Sequence, residues 1–349
     1  MSYKKWSIFF FIIPFILMLS IFLFNFIIDP YSMTKYNILN IPNKFARDDR
    51  VEKVAHIKTY PKYDNIILGS SRVYSTNPLT ISNYLGGKTY NCGVGTARIE
   101  DILGFILLLE REKKLPKNLI IGLDFYSFNQ ELETNKYFLK NKDLNFLNNH
   151  ISSSSYISNF LSIDALRASF KTLSNFIKNP KAKPRFDKNG ASQNASQIFT
   201  TTPTKEQIKK PFSNQIIKKE VKFIKTIHYN EISKKRLAYL ERIVKISNKH
   251  HIKLYIFLTP LNGKLLTKIK EDKKLYKKLK ELKVLLSKKT KIYDFITLNT
   301  ITNNQNNFNN PTHFTPQAGN LLYSKIFNKE DTLLPTNFGQ ILKPQYSSD

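Results

Sequence analysis

The chain has a single cysteine among its 349 residues. Cys92 therefore cannot form an intrachain disulfide, and it fits no metal or redox motif. Acidic charge is also scarce: 26 Asp and Glu stand against 55 Lys and Arg, a formal net charge of +29. A basic balance of this size favours anionic partners such as nucleic acid, phosphorylated glycans or lipid headgroups. No short run concentrates the lysines, however, and that spread is equally what a compositionally biased genome produces. There is no internal repeat, and no recognised nucleic-acid motif is present, so nucleic acid is not expected as a partner. At 41% hydrophobic the chain can still bury a sizeable core, as one large domain or as a domain with an insertion.

Charge is missing altogether from Trp6–Ile28, WSIFFFIIPFILMLSIFLFNFII. At 1.5 Å per residue this segment reaches roughly 34 Å, enough to cross a hydrocarbon core of about 30 Å. A cleavable signal has a shorter apolar region and then a small-x-small site. Here the run exits into Asp29-Pro30-Tyr31 with no such site, which predicts an uncleaved signal anchor. Lys4 and Lys5 precede it and, by the positive-inside tendency, hold residues 1–5 in the cytoplasm and the rest of the chain outside. The expected organisation is a tail at 1–5, a membrane anchor at 6–28 and a polar lead-in at 29–62. An α/β domain follows at 63–330, with a cap-like insertion at about 136–230, and then a C-terminal tail at 331–349. The insertion contains the serine run Ser152–Ser155 and a Pro-, Lys- and Asn-rich stretch at 180–204.

The stretch that organises the domain is Tyr63–Arg72, YDNIILGSSR. Ile66-Ile67-Leu68 stops at Gly69, which predicts a strand buried on both faces running into a tight turn. Further short apolar strands are expected at Thr89–Cys92, Leu119–Phe125, Leu254–Thr259 and Ile292–Phe295. Helical patterns separate them at Ile99–Lys113, Ser233–His250 and Asp272–Ser287, with caps at Asn77-Pro78 and Thr315-Pro316. This alternation predicts an α/β fold: a flavodoxin-like three-layer α/β/α sandwich with about five parallel strands. In such sheets chemistry is placed beyond the carboxyl ends of the strands. Ser70, Ser71 and Arg72 arrive there from the first strand, and Asp124 from the third.

Serine hydrolysis needs a nucleophile, a base within hydrogen-bond reach and donors aimed at the developing oxyanion. His313 is the candidate base, late in the chain and just before a helix start that would fix it. His56, His150, His228, His250 and His251 have no comparable setting. The phrase around His313 is Asn310-Pro311-Thr312-His313-Phe314, with Gly319 in the following helix.

Gly69-Ser70-Ser71-Arg72 resembles the first signature block of the SGNH/GDSL hydrolase superfamily, in the GSSR form of its membrane-anchored bacterial members. The order of blocks is similar across about Asp29–Asn328: anchor, GSSR, Asn91-Cys92-Gly93, Gly122-Leu123-Asp124 and the terminal histidine. The resemblance implies Ser71 as nucleophile, His313 as base and Asn310 in the place of the aspartate that orients it. It also implies the backbone of the Gly93-Val94-Gly95 turn, Gly93 or Gly95, as a source of oxyanion donors. Asp124 stands where the family usually has an oxyanion-hole asparagine, with Arg72 as its expected partner. Neither cofactor nor metal is implied. Two functions stay open on this resemblance. One is a single-pass membrane protein with an extracytoplasmic domain (periplasmic in a Gram-negative cell), an esterase or O-acyltransferase acting on cell-surface glycan beside a membrane-bound O-acyltransferase. The other is a non-catalytic partner on the same fold, binding the glycan or the acyltransferase.

Overall fold

The computed structural model describes residues 3–31, 34, 38–39, 41, 48–147, 160–181, 186–192, 229–327 and 334–342. The serine run Ser152–Ser155, His150, His228 and most of 180–204 lie outside the described residues, as does part of the expected C-terminal tail. The chain divides into two compact units: Met1–Pro61 with Lys140–Arg185, and Lys62–Leu139 with Phe186–Asp349. The stretch expected as one insertion at 136–230 is thus shared between the units.

In the first unit the apolar run forms helix α1, Tyr3–Ile28. Its Ile8–Ile28 segment is long and apolar enough to cross a membrane. The lead-in carries helix α2, Asp49–Thr59, capped by Asp48, whose side chain accepts the Arg50 N–H at 3.1 Å.

The second unit is built on a six-stranded sheet, β1 Asn65–Leu68, β2 Thr89–Asn91, β3 Asn118–Leu123, β4 Lys253–Leu258, β5 Ile292–Asp294 and β8 Gln340–Leu342. Its order is β2-β1-β3-β4-β5-β8. The first five are parallel, and β8 is an antiparallel edge strand on β5, in the stretch expected as tail. Every residue of β1 and β3 is buried, so both faces of the sheet are covered, consistent with a three-layer α/β arrangement. Helices α3 (Pro78–Leu85), α4 (Ile99–Arg111), α6 (Lys234–Lys249), α7 (Gly263–Glu271), α8 (Lys273–Ser287) and α9 (Pro316–Ile326) belong to this unit. α5, Ile163–Lys178, belongs to the first. The strand order reverses between β1 and β3, the topological switch point at which open α/β sheets form their crevice. Ser71 follows β1 and Asp124 follows β3, so the two stand on either side of it.

Candidate active site

Ser71 opens a single 3-10 turn, Ser71–Val73, separated from β1 by the two residues Gly69 and Ser70. Ser70 caps this turn, its Oγ accepting the Arg72 N–H at 3.2 Å. The turn lies tight against the sheet because three glycines make room for one side chain. Gly69 sits at φ +154°, and a Cβ there would meet Gly122 O at 2.9 Å and Val73 Cγ1 at 3.0 Å. A Cβ on Gly93 or on Gly122 would come within 2.7 Å of a Val73 methyl. Val73 is fully buried between them. Asn91, at the end of β2, then pins the turn, donating to Val73 O at 2.8 Å and accepting the Gly93 N–H at 2.9 Å.

His313 arrives on a two-stranded hairpin, β6 Phe308–Asn310 and β7 His313–Phe314. Asn310 and His313 are register partners across the two-residue turn Pro311-Thr312, which is what the Asn-x-x-His spacing builds. The hairpin is tied to its neighbours by the Asn262 N–H on Pro311 O at 2.9 Å and the Ser75 hydroxyl on Phe314 O at 3.0 Å. The result brings Ser71 Oγ to 2.8 Å from His313 Nε2. Both residues are half-buried.

The tautomer follows from the neighbours of Asn310. Its Oδ1 accepts the backbone N–H groups of Thr312 and His313, each at 3.0 Å, and stands 2.9 Å from His313 Nδ1. An atom that takes two backbone N–H donors is the amide oxygen, so the Asn310 amide orientation is settled and Nδ1 carries the hydrogen. Nε2 is left with its lone pair facing Ser71, and the serine hydroxyl donates to it. Thr312 Oγ1, 3.1 Å from Nδ1, packs against the same pair. Burial, with a further push from the Arg72 guanidinium and a pull the other way from Asp124, holds the His313 imidazole down to about 4. The ring is therefore neutral and able to take a proton across the neutral range. The unfolded chain binds that proton first, so the His313 contribution to stability weakens as pH falls from about 6.5 toward 4.

Behind the pair lies a buried charge cluster. Arg72 Nη1 donates to Asp124 Oδ1 at 2.9 Å and to Thr259 Oγ1 at 3.3 Å, and the Thr259 hydroxyl donates to the same carboxylate oxygen at 2.6 Å. The guanidinium also lies 5.0 Å from the centre of the Tyr126 ring, and burial raises the Tyr126 phenol above its usual range. The Asp124 carboxylate is thus turned to Arg72 and Thr259.

Of the residues expected to share a site, the structure joins Ser71 with His313 and Asn310, and Arg72 with Asp124. Gly93 lies next to Ser70, but its N–H is given to Asn91; Gly95 is half-buried in the turn that follows. Ser71's own N–H makes no hydrogen bond among the described residues and is the backbone donor that an oxyanion at this serine would meet first. Thr312 and Thr259 were not singled out in the sequence. Thr259 closes β4 at the same sheet edge as Ser71 and Asp124, and that position is the signal that marks it. Of the other described histidines, His56 stacks on Tyr60, and His250 meets Glu110 at 2.8 Å. No group of three or more His, Cys, Asp or Glu able to hold a metal ion is present among the described residues. Comparison with protein-family models, with curated proteins and with solved structures finds no match to this chain.

Proposed function

We propose that this chain is a membrane-anchored, extracytoplasmic serine esterase or O-acyltransferase of the SGNH type, acting on cell-surface or exopolysaccharide glycan. One observation carries the proposal: the run Ser71 Oγ, His313 Nε2, His313 Nδ1, Asn310 Oδ1, with 2.8 Å and 2.9 Å between successive residues. Ser71 Oγ attacks the acyl carbonyl carbon while its proton passes to His313 Nε2, and the Ser71 N–H receives the oxyanion. Collapse of the tetrahedral intermediate breaks the ester C–O bond, and His313 returns the proton to the departing alcohol. The acyl group then rests on Ser71 until water, or a glycan hydroxyl deprotonated by His313, takes it. Ser71 follows β1 at the sheet's switch point, the position at which open α/β sheets, flavodoxin-like ones included, bind their ligands, and this supports the reading.

A fluorophosphonate probe tests the first step directly, since Ser71 Oγ bonds to phosphorus as fluoride leaves. The expected result is a single adduct on the Ser71 peptide and none on the Ser71→Ala chain. A folded protein that stays unlabelled would count against catalysis. It would favour the second reading, a glycan-binding or acyltransferase-partner protein. One observation speaks for that alternative: the Gly93 N–H is spent inside the fold, which leaves few donors for an oxyanion.

Asn310 defines a second test. Replacing the aspartate of a serine-protease triad by asparagine lowers kcat by about 10⁴, in large part because the imidazole adopts the wrong tautomer. Here the amide oxygen already faces Nδ1, so only the missing charge is felt. Asn310→Asp should therefore raise kcat by roughly 10- to 1,000-fold, the equivalent of the 1–3 pKa units an adjacent opposite charge supplies. The same carboxylate favours the imidazolium, so the acid limb of kcat/KM should move from near pH 4 to higher pH. A variant that is no faster, with an unmoved limb, would show that His313 carries no positive charge in the rate-limiting step.

A further inference from the structure

Helix α5 has a sequence with two apolar faces. Its small residues Ala165, Ala168, Ser169 and Thr172 are buried against their own unit. Beside them runs a second stripe, Ile163, Leu166, Phe170, Leu173 and Ile177, spaced at alternating three and four residues. Packing half-covers Leu166 and Leu173 and leaves the other three open: Ile163 is 68% exposed, Phe170 60% and Ile177 70%. Arg167, Lys171 and Lys178 occupy a polar face that flanks this stripe, with Asp164 as the helix's one acidic residue. An uncovered apolar edge next to a basic face is the pattern of a helix that lies in a membrane interface.

The position of α5 on α1 says what covers this edge. Ser169 Oγ donates to Asn25 Oδ1 at 2.7 Å, and Asn25 Nδ2 donates to Phe160 O at 2.6 Å. These bonds satisfy the one amide in the apolar span, which is itself fully buried. Phe160 stacks edge-on against Phe22 and Phe26, and the Phe170 ring lies 4.9 Å from that of Phe24. Contacts from both ends of the Phe160–Phe170 stretch thus meet α1 within about one turn, so α5 crosses α1 rather than following it. Phe24 lies four residues before Ile28, about 6 Å from the end of the apolar run at 1.5 Å per residue. Interfacial helices bury their apolar faces about 5–10 Å into the boundary of headgroups and acyl chains.

We infer that α5 is a membrane-surface helix whose Ile163–Phe170–Ile177 edge enters the lipid beside α1, with Arg167, Lys171 and Lys178 toward anionic headgroups. The inference rests on the anchoring role proposed for α1. Its test uses the full chain in phosphatidylcholine–phosphatidylglycerol vesicles, with single cysteines placed at Ile13, Phe170, Asn175 or Ile177 and labelled with an environment-sensitive fluorophore. Cys92 is buried, so the folded wild-type chain supplies the blank. The expected result is blue-shifted emission at positions 13, 170 and 177, quenched by nitroxide lipids and protected from aqueous iodide. The probe at position 175, on the polar side, should remain open to iodide. Reversing Arg167, Lys171 and Lys178 to Glu should reduce lipid quenching at 170 and 177 while leaving position 13 unchanged. If position 13 is in lipid but 170 and 177 stay in water, the inference is wrong and the anchor stands; a protein partner would then be the occupant of the stripe. If position 13 is also in water, the anchor fails and the inference falls with it.

Discussion

Ser71→Ala should reduce ester turnover by three to six orders of magnitude while leaving the unfolding transition nearly where it was. The size follows from the way nucleophile and base act as a unit: removing either one from a serine hydrolase costs about as much as removing all, of order 10⁶ in kcat. The small stability effect follows from the geometry. Ser71 is half-buried, and its hydroxyl makes one hydrogen bond, to His313 Nε2. Such a bond contributes about 0.5–1.5 kcal/mol net, and the imidazole can find water in its place. His313→Ala should match the loss of turnover, and combining it with Ser71→Ala should add almost nothing. The measurement is kcat/KM on an activated acyl ester, with thermal unfolding as control. Full turnover in the Ser71→Ala chain would remove the nucleophile from the proposal and leave the binding-partner reading in possession.

The approach of Ser71 to His313, 242 positions apart, could be anticipated because both ends carry local signals. An apolar run stopped by Gly69 specifies where a buried strand ends, and all strand ends of a parallel sheet share one edge. His313 stands just ahead of a Pro-initiated helix whose start fixes its place, and the structure adds that Asn310 and His313 are register partners across a two-residue turn. What was not legible depends on contacts between distant segments. Val73 carries no motif, yet it is the side chain that explains Gly69, Gly93 and Gly122 together. β8 is three residues long and mostly exposed at the sheet edge, so it has neither a buried run nor alternation to announce it. α2 reads as polar lead-in because most of its residues are polar; its few apolar residues, Val51, Val54, Ala55 and Ile57, all lie on its packed side. The apolar stripe on α5 cannot be told from a core stripe by composition, since only exposure separates the two.

Arg72→Ala should be the most destabilising single substitution in the site. Arg72 and Asp124 are both buried, 2.9 Å apart, and Thr259 adds a hydrogen bond to the same carboxylate oxygen. Removing one partner leaves an uncompensated charge away from water, a loss of about 3–5 kcal/mol. Asp124→Asn leaves Arg72 with a neutral acceptor and the ring of Tyr126, and should cost less. The informative quantity is the difference between backgrounds. With Asp124→Asn already present, Arg72→Ala strands no carboxylate, so its further cost should shrink by about 0.5–3 kcal/mol, the range for residues in direct contact. Activity supplies an independent reading of the same pair. Arg72 pushes the His313 imidazole down and Asp124 pulls it up, so Arg72→Ala should move the acid limb of kcat/KM to higher pH and Asp124→Asn to lower pH. Denaturant unfolding of the four chains, with pH profiles of each, tests both parts. Additive stabilities together with unmoved limbs would mean that the pair neither shares its charge nor reaches the base, and its place behind the site would then be structural accident.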